Sequence, residues 1–221
     1  EERLFEYGVF RVIAGSETML KGVCKLMPSE IIEYGINSDS ISFDMYHSSA
    51  EVGKDSLEEL LTQSVSECIL SDVPIGFQIS GGVDSSLISV IAKKVLKQKD
   101  VHSFSIGLDD QKWNEFEYSR KVSKLLGTTH HEIVFDQENF CKNYPLATYH
   151  LDEPVAYPNT VPIMLLSNIA SNHVKVLLSG EGADELFGGY NRYRKFLSKR
   201  DEESIVYSNS FSTEIDAHQF F

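Results

Sequence analysis

Residues 79–86 read ISGGVDSS and residues 178–190 read LSGEGADELFGGY. In both, an apolar run stops at Ser-Gly. In the first, Gly81 and Gly82 permit a tight turn and a close approach of ligand to backbone. The turn feeds the start of an apolar-periodic helix, where unpaired N–H groups and the helix dipole favour phosphate. Ser80, Ser85 and Ser86 add hydroxyl donors. No lysine follows at the spacing of GxxxxGK[ST], so this is not that phosphate loop. A strand-to-helix turn with an Asp or Ser cap accounts for any one of these residues. The complete run after a strand points to a polyphosphate. In the second stretch, Glu181, Asp184 and Glu185 crowd the start of a helix. Complementing the helix dipole is sufficient reason for Glu185. Glu181 is different, because Gly180 and Gly182 flank it at the strand mouth. Gly188 and Gly189 weaken a helix and predict close packing or a break.

These residues need elements to position them. From Asp55 onward, Leu57, Leu60, Leu61, Val65 and Ile69 recur at helical spacing behind an Asp55 or Ser56 cap. PIGFQI then predicts a strand and SSLISVIAKKVLKQ an amphipathic helix. VHSFSIGL is strand-like. EFEYSRKVSKLLG is a helix capped near Asn114 and stopped by Gly127. HHEIVF is a strand, ENFCKNYPLATYHL is helical in part, and VPIMLLSNIASN is a helix with Pro162 in its first turn. VKVLLSG is a buried strand, and ADELFGGYNRYRKFL starts another helix. This alternation predicts an α/β fold, a parallel sheet flanked by helices. Ligands of such sheets bind at the carboxyl ends of the strands. Both Ser-Gly mouths then face one edge, where Asp84 and Asp184 can converge on one anionic ligand. Two carboxylates repel a polyphosphate unless a hard cation bridges them, and Mg²⁺ suits that arrangement. The expected ligand is therefore Mg-polyphosphate, most simply Mg-ATP.

The 221 residues carry 20 Lys and Arg against 33 Asp and Glu, a formal net charge of −13. So acidic a chain has no global electrostatic reason to sit on nucleic acid or an anionic membrane. No apolar stretch is long enough to span a bilayer, and EERLFEY is not a signal peptide. Cys24, Cys68 and Cys141 have neither disulfide nor zinc spacing, which predicts buried free thiols in a reducing, cytoplasmic setting. His130 and His131 read as surface or half-buried strand residues rather than metal ligands, because no other His or Cys has ligand spacing. Tyr190, Arg192, Tyr193 and Arg194 read as a solvated helix face.

With the residues laid out, a resemblance is plain. SGGVDSS resembles the pyrophosphate loop of the N-type ATP pyrophosphatases, the superfamily of GMP, NAD, argininosuccinate and asparagine synthetases. LSGEGADELFGGY narrows it to the asparagine synthetase family, as do SDVPIGFQISGGVDSS, VHSFSIGL and LGTTHHEIVF. The resemblance implies the adenine nucleotide alpha hydrolase-like fold of that superfamily. It also implies four segments: residues 1–46 as a remnant of a glutaminase domain and its crossover, 47–56 as linker, 57–199 as synthetase domain, and 200–221 unassigned. It implies ATP and Mg²⁺, with a carboxylate attacking the α-phosphorus and ammonia then displacing AMP to leave an amide. Carried over, Ser80, Gly81, Gly82, Asp84, Ser85 and Ser86 hold the pyrophosphate portion, and Asp84 and Asp184 hold Mg²⁺. Ile79 and Ile106 flank the adenosine, while Ser179 and Gly180 touch it through backbone. Glu181 assists the intermediate or takes a proton from ammonia.

The implied substrates are aspartate or a related carboxylate, with ammonia drawn from glutamine by a glutaminase domain of the same polypeptide. A homodimer is among the expected assemblies, and nucleic acid and membrane are not expected partners. The chain departs from the family in several places. EERLF has no N-terminal cysteine nucleophile, the downstream lysine that neutralises pyrophosphate is not matched, and LDEPVAYPNTVP lacks the arginine of a Thr-Thr-Ile-Arg type stretch. MPSEIIEY also departs from the family's Pro-Pro-Gly turn. These leave three alternatives: an amidotransferase or β-lactam synthetase-like enzyme on another carboxylate, an inactive piece of a longer protein, and a sulfur-transferring tRNA ATPase. The last needs a basic surface and a working cysteine pair, and neither is visible.

Overall fold

A computed structural model describes residues 2–46, 55–95, 100–109, 114–191 and 193. The chain divides into two units, Asp55–Tyr193 and a second comprising Glu1–Lys54 with Arg194–Phe221. The described part of the second unit is a helix, α1 (Glu2–Phe10), and an antiparallel hairpin of β1 (Glu30–Gly35) and β2 (Ser40–Met45). Arg3 pairs with Glu6 at 2.6 Å, and Glu6 also accepts the backbone N–H of Ala14.

The unit Asp55–Tyr193 holds α2 (Leu57–Cys68), β3 (Ile75–Gln78), α3 (Val83–Val95), β4 (His102–Leu108), α4 (Phe116–Leu126), β5 (Thr129–Phe135), α5 (Gln137–Leu151), α6 (Thr160–Ala170), β6 (Val176–Leu178) and α7 (Ala183–Phe187). Its four strands pair in the order β5-β4-β3-β6, all parallel. Chain connections run from β3 outward to β5, then return to the other side of β3. The order therefore reverses between β3 and β6, the place where open α/β sheets bind ligands.

Strand alternation sorts the two faces of the sheet. Ile75 and Phe77 of β3 and Ile79 just after it pack with Val65 of α2, Ile69 at its C-cap, and Ile91 and Ala92 of α3. Phe104 of β4 and Ile133 of β5 pack on the opposite face with Leu166 and Ala170 of α6. Phe77 and Phe104 are wholly buried, each worth about 1.5–3 kcal/mol of burial free energy. Beside the first core, under α4, β4 turns two serines inward, Ser103 and Ser105. They bond Nδ1 and Nε2 of His130 at 2.8 and 3.1 Å, and Ser103 also bonds Thr128 at 2.7 Å. These bonds satisfy polar groups whose burial would otherwise be costly.

The caps follow local chemistry. Ser56 and Glu59 form a reciprocal capping box on α2. Asn114 Oδ1 accepts the N–H of Phe116 at 3.4 Å, and Gly127 closes α4 in the left-handed conformation. The segment expected to be helical in part is one helix, α5, with Pro145 inside it. The cysteines differ from expectation: Cys24, Cys68 and Cys141 are all exposed rather than buried. Cys68 and Cys141 lie on outward-facing helix positions, where a thiol substitutes for a polar residue. Residues 47–54, most of the expected linker, and the tail 200–221 lie outside the described residues. No helix among the described residues is long and apolar enough to cross a membrane.

Candidate functional site

The loop after β3 is held by its own hydroxyls. Ser85 Oγ accepts the N–H of Ser80 at 3.2 Å and lies 2.9 Å from Ser80 Oγ, which in turn accepts the N–H of Gly82 at 3.1 Å. Gly81 has φ +91°, and a Cβ there would collide with Tyr118 and with the backbone N of Ser119 at 2.9 Å. Gly81 thus lets the loop rest on the start of α4. The N–H of Ser86 is the first in α3 to reach a carbonyl, that of Gly82 at 3.2 Å. By helix geometry the N–H groups of Val83, Asp84 and Ser85 have no partner within the helix.

The loop after β6 meets this turn directly. A Cβ on Gly180 would lie 2.7 Å from Ser85 N, 3.0 Å from Ser85 Cα and 3.1 Å from the carbonyl carbon of Asp84. Only glycine lets the two backbones approach so closely. Gly182 is the N-cap of α7 and Gly188 its C-cap, both left-handed. The expected break therefore falls at Gly188, after five helical residues. A Cβ on Gly189 would strike the carboxylate of Asp184, so the chain folds back onto that side chain after the break.

Between the two loops lies a cleft of about 200 Å³. Of the residues expected at the site, it is lined by Ser80, Gly82, Asp84, Ser85, Ser179, Gly180, Glu181 and Asp184. Asp84 and Glu181 are exposed and Asp184 is half-buried. Gly81 stands outside the lining, turned to α4. Ile79 is fully buried in the core cluster of α2 and α3, and Ile106 packs against the core on the α6 face. Neither side chain reaches the cleft. Ser86 Oγ is buried and without a hydrogen-bond partner.

The cleft also includes residues not anticipated from sequence: Gln78, Gly182, Glu185 and Tyr190. Tyr190 donates its hydroxyl to Glu185 Oε1 at 2.7 Å. The sequence places it on a solvated helix face, but the break at Gly188–Gly189 returns it to the site. That glycine pair was the available signal. Four carboxylates line the cleft, with no Lys or Arg among the described lining residues. A bare polyphosphate entering it meets repulsion from all four, so the lining calls for a cation alongside any phosphate ligand.

Fold and site together define an α/β domain with a carboxylate-rich cleft at the switch point of a parallel sheet. The chain belongs to the asparagine synthase family, whose model matches residues 56–218. It is 33% identical over 93% of its length to asparagine synthetase [glutamine-hydrolyzing] 1 of Bacillus subtilis, covering 33% of that protein. It is 34% identical over 69% of its length to asparagine synthetase B [glutamine-hydrolyzing] of Escherichia coli, covering 30% of it. The chain thus spans about a third of the length of these curated relatives. Among solved structures, an NMN synthetase from Francisella tularensis is a slight likeness, with a TM-score of 0.44 and 15% identity over 63% of this chain and 61% of that one.

Proposed function

We propose that this chain carries the ATP site of an enzyme that joins a carboxylate to ammonia, with aspartate as the carboxylate and asparagine as the product. The observation that carries the reading is the backbone contact of Gly180 with Asp84 and Ser85, which brings the two strand-mouth motifs to one cleft. In the first step a carboxylate oxygen of the substrate attacks the α-phosphorus of ATP, and the bond to pyrophosphate breaks. In the second, ammonia attacks the acyl carbon, AMP leaves, and the nitrogen gives up a proton.

This chain's residues divide that work between binding and proton handling. The free N–H groups of the first turn of α3 and the hydroxyls of Ser80 and Ser85 cradle the pyrophosphate. Ser86, in the same turn, has a buried hydroxyl without a partner and stands outside the cleft lining. Asp84 and Asp184 are the residues that would hold Mg²⁺, which supplies charge neutralisation to the phosphates when bound. Glu181, exposed beside the cleft, is the base for the ammonia proton. The main chains of Ser179 and Gly180 meet the adenosine. Ile79 and Ile106 have core side chains, so any part they take beside the adenosine falls to backbone. The nitrogen comes from glutamine through a glutaminase domain of the same polypeptide.

The test is pyrophosphate exchange into ATP by the intact protein with a panel of carboxylates. Aspartate-dependent exchange, abolished by Asp84→Asn, is the expected result. Exchange with another carboxylate but not aspartate reassigns the acceptor, the outcome that LDEPVAYPNTVP allows. Exchange unchanged in Asp84→Asn refutes the assignment of the cleft.

A further inference from the structure

A second constellation lies away from the cleft. His102 is the first residue of β4, and His131 is the third of β5. In the parallel register Phe104 is opposite His131, so His102, Phe104 and His131 share one face of the sheet. His173 comes from the turn after α6, whose backbone holds it through an N–H bond to the carbonyl of Ala170 at 2.9 Å. One ring nitrogen from each of the three histidines lies within 4.8 Å of the other two. His102 and His131 are half-buried and His173 is exposed.

The rings stand at centroid separations of 5.1, 5.0 and 4.3 Å, over Phe104, which lies 4.9 Å from His131. His102 Nδ1 and His131 Nε2 are 2.9 Å apart, close enough for a single N–H···N bond. His173 stacks in the same way, 5.0 Å from His102 and 4.3 Å from His131, so the three rings bring their nitrogens toward one spot. Burial, and then the neighbouring rings of His173 and His102, hold His131 below its ordinary range. His102 pairs with Gly76 at the beginning of β3, while the cleft follows the end of β3. The cluster thus sits toward the opposite edge of the sheet.

We propose that His102, His131 and His173 form a binding site for a late first-row divalent ion, zinc being the chemical class member that suits three imidazoles and an open fourth position. Imidazole nitrogens favour Zn, Cu and Ni, whereas Mg²⁺ takes oxygen ligands, so this site and the carboxylate cleft would not compete for one ion. Three histidines with one position left to water is an established zinc arrangement. A Zn–N length of about 2.0–2.1 Å needs ring nitrogens about 3.3 Å apart, against 2.9 Å between His102 and His131 and separations within 4.8 Å across the trio. The rings are stacked to tilted at 22–31°, so ligation would turn them about χ2 to point a lone pair inward. The ion would replace the His102–His131 bond and tie β4, β5 and the turn before β6 together. This inference does not depend on the reading of the cleft.

The test uses the chain with Cys24, Cys68 and Cys141 replaced by serine, since all three are exposed and thiols bind zinc themselves. After removal of metal with a chelator, Zn²⁺ is titrated by calorimetry and Co²⁺ by visible absorption. One saturable site is expected, with a rise in melting temperature on adding Zn²⁺. His173→Gln alters an exposed side chain and keeps the fold, and it should weaken Zn²⁺ binding roughly tenfold or more and abolish the melting shift. His131→Gln should do the same, and His150→Gln, outside the cluster, should not. Affinity unchanged in both His131→Gln and His173→Gln overturns the proposal. So does the absence of saturable binding by a chain whose circular dichroism shows it folded.

Discussion

Gly180→Ala tests whether the contact between the two loops sets the geometry of the cleft. The added Cβ would sit 2.7 Å from Ser85 N, about 0.7 Å inside the 3.4 Å at which ordinary contact begins. Ser85 Cα at 3.0 Å and the Asp84 carbonyl carbon at 3.1 Å obstruct it as well. All three are backbone atoms in the first turn of a helix, so no side chain can swing aside. The loops must part, or β6 must slide, by something under an ångström. Overpacking of this kind costs roughly 1–3 kcal/mol of stability. Its effect on chemistry should be larger, because a misplacement near 1 Å in a positioned site costs on the order of 100-fold in rate. The assay is pyrophosphate exchange by the intact protein, alongside a denaturant midpoint. Gly182→Ala is the informative companion. Its φ of +92° makes alanine strained there, yet nothing lies within 4 Å of the new methyl. It should lose stability while disturbing the Gly180 contact far less. If Gly180→Ala exchanges pyrophosphate at the wild-type rate with an unchanged midpoint, the close approach does not organise the site.

Three further outcomes are expected. Asp84→Asn and Asp184→Asn should each weaken Mg²⁺-dependent ATP binding, measured by equilibrium dialysis, and the double variant should lose little more than either single one; strict additivity argues against a shared ion. Phe104→Ala, at a wholly buried position, should lower unfolding free energy by about 3–5 kcal/mol in a denaturant titration, and a loss below about 1 kcal/mol contradicts the packing assigned to it. Burial depresses the His130 pKa, Arg120 acts in the same sense and Glu132 opposes it, so the unfolded chain binds more protons as pH falls. Its contribution is therefore complete above about pH 6.5 and declines below it, as does that of His131, which shifts the same way. Guanidinium midpoints should fall between about pH 7 and pH 5, less steeply in His130→Asn, and a flat profile refutes the assignment.

Much of this molecule is legible along the chain because its determinants are local. The Ser56 cap on α2 and Gly127 behind Leu125 and Leu126 act over a few residues, and each does in the fold what its spacing predicts. Pro145 shows a local rule yielding to context. It removes a backbone donor from α5, yet it is exposed, so the freed carbonyl of the preceding turn meets water and the helix continues. The cysteines mislead because chain position carries no information on which face of a helix a thiol takes. The deepest limit is register. Ile79 and Ser80 are neighbours in sequence, yet one lies in the core and the other lines the cleft, because alternation assigns them opposite directions. His130 and His131 are separated in the same way, the first bonded to Ser103 and Ser105 and the second facing His102 and His173. No ligand spacing exists along the chain for that trio. It arises from the pairing of β4 with β5 and from where the turn after α6 ends, so a three-histidine site of this kind is invisible to motif reading and emerges only once the strands are in register.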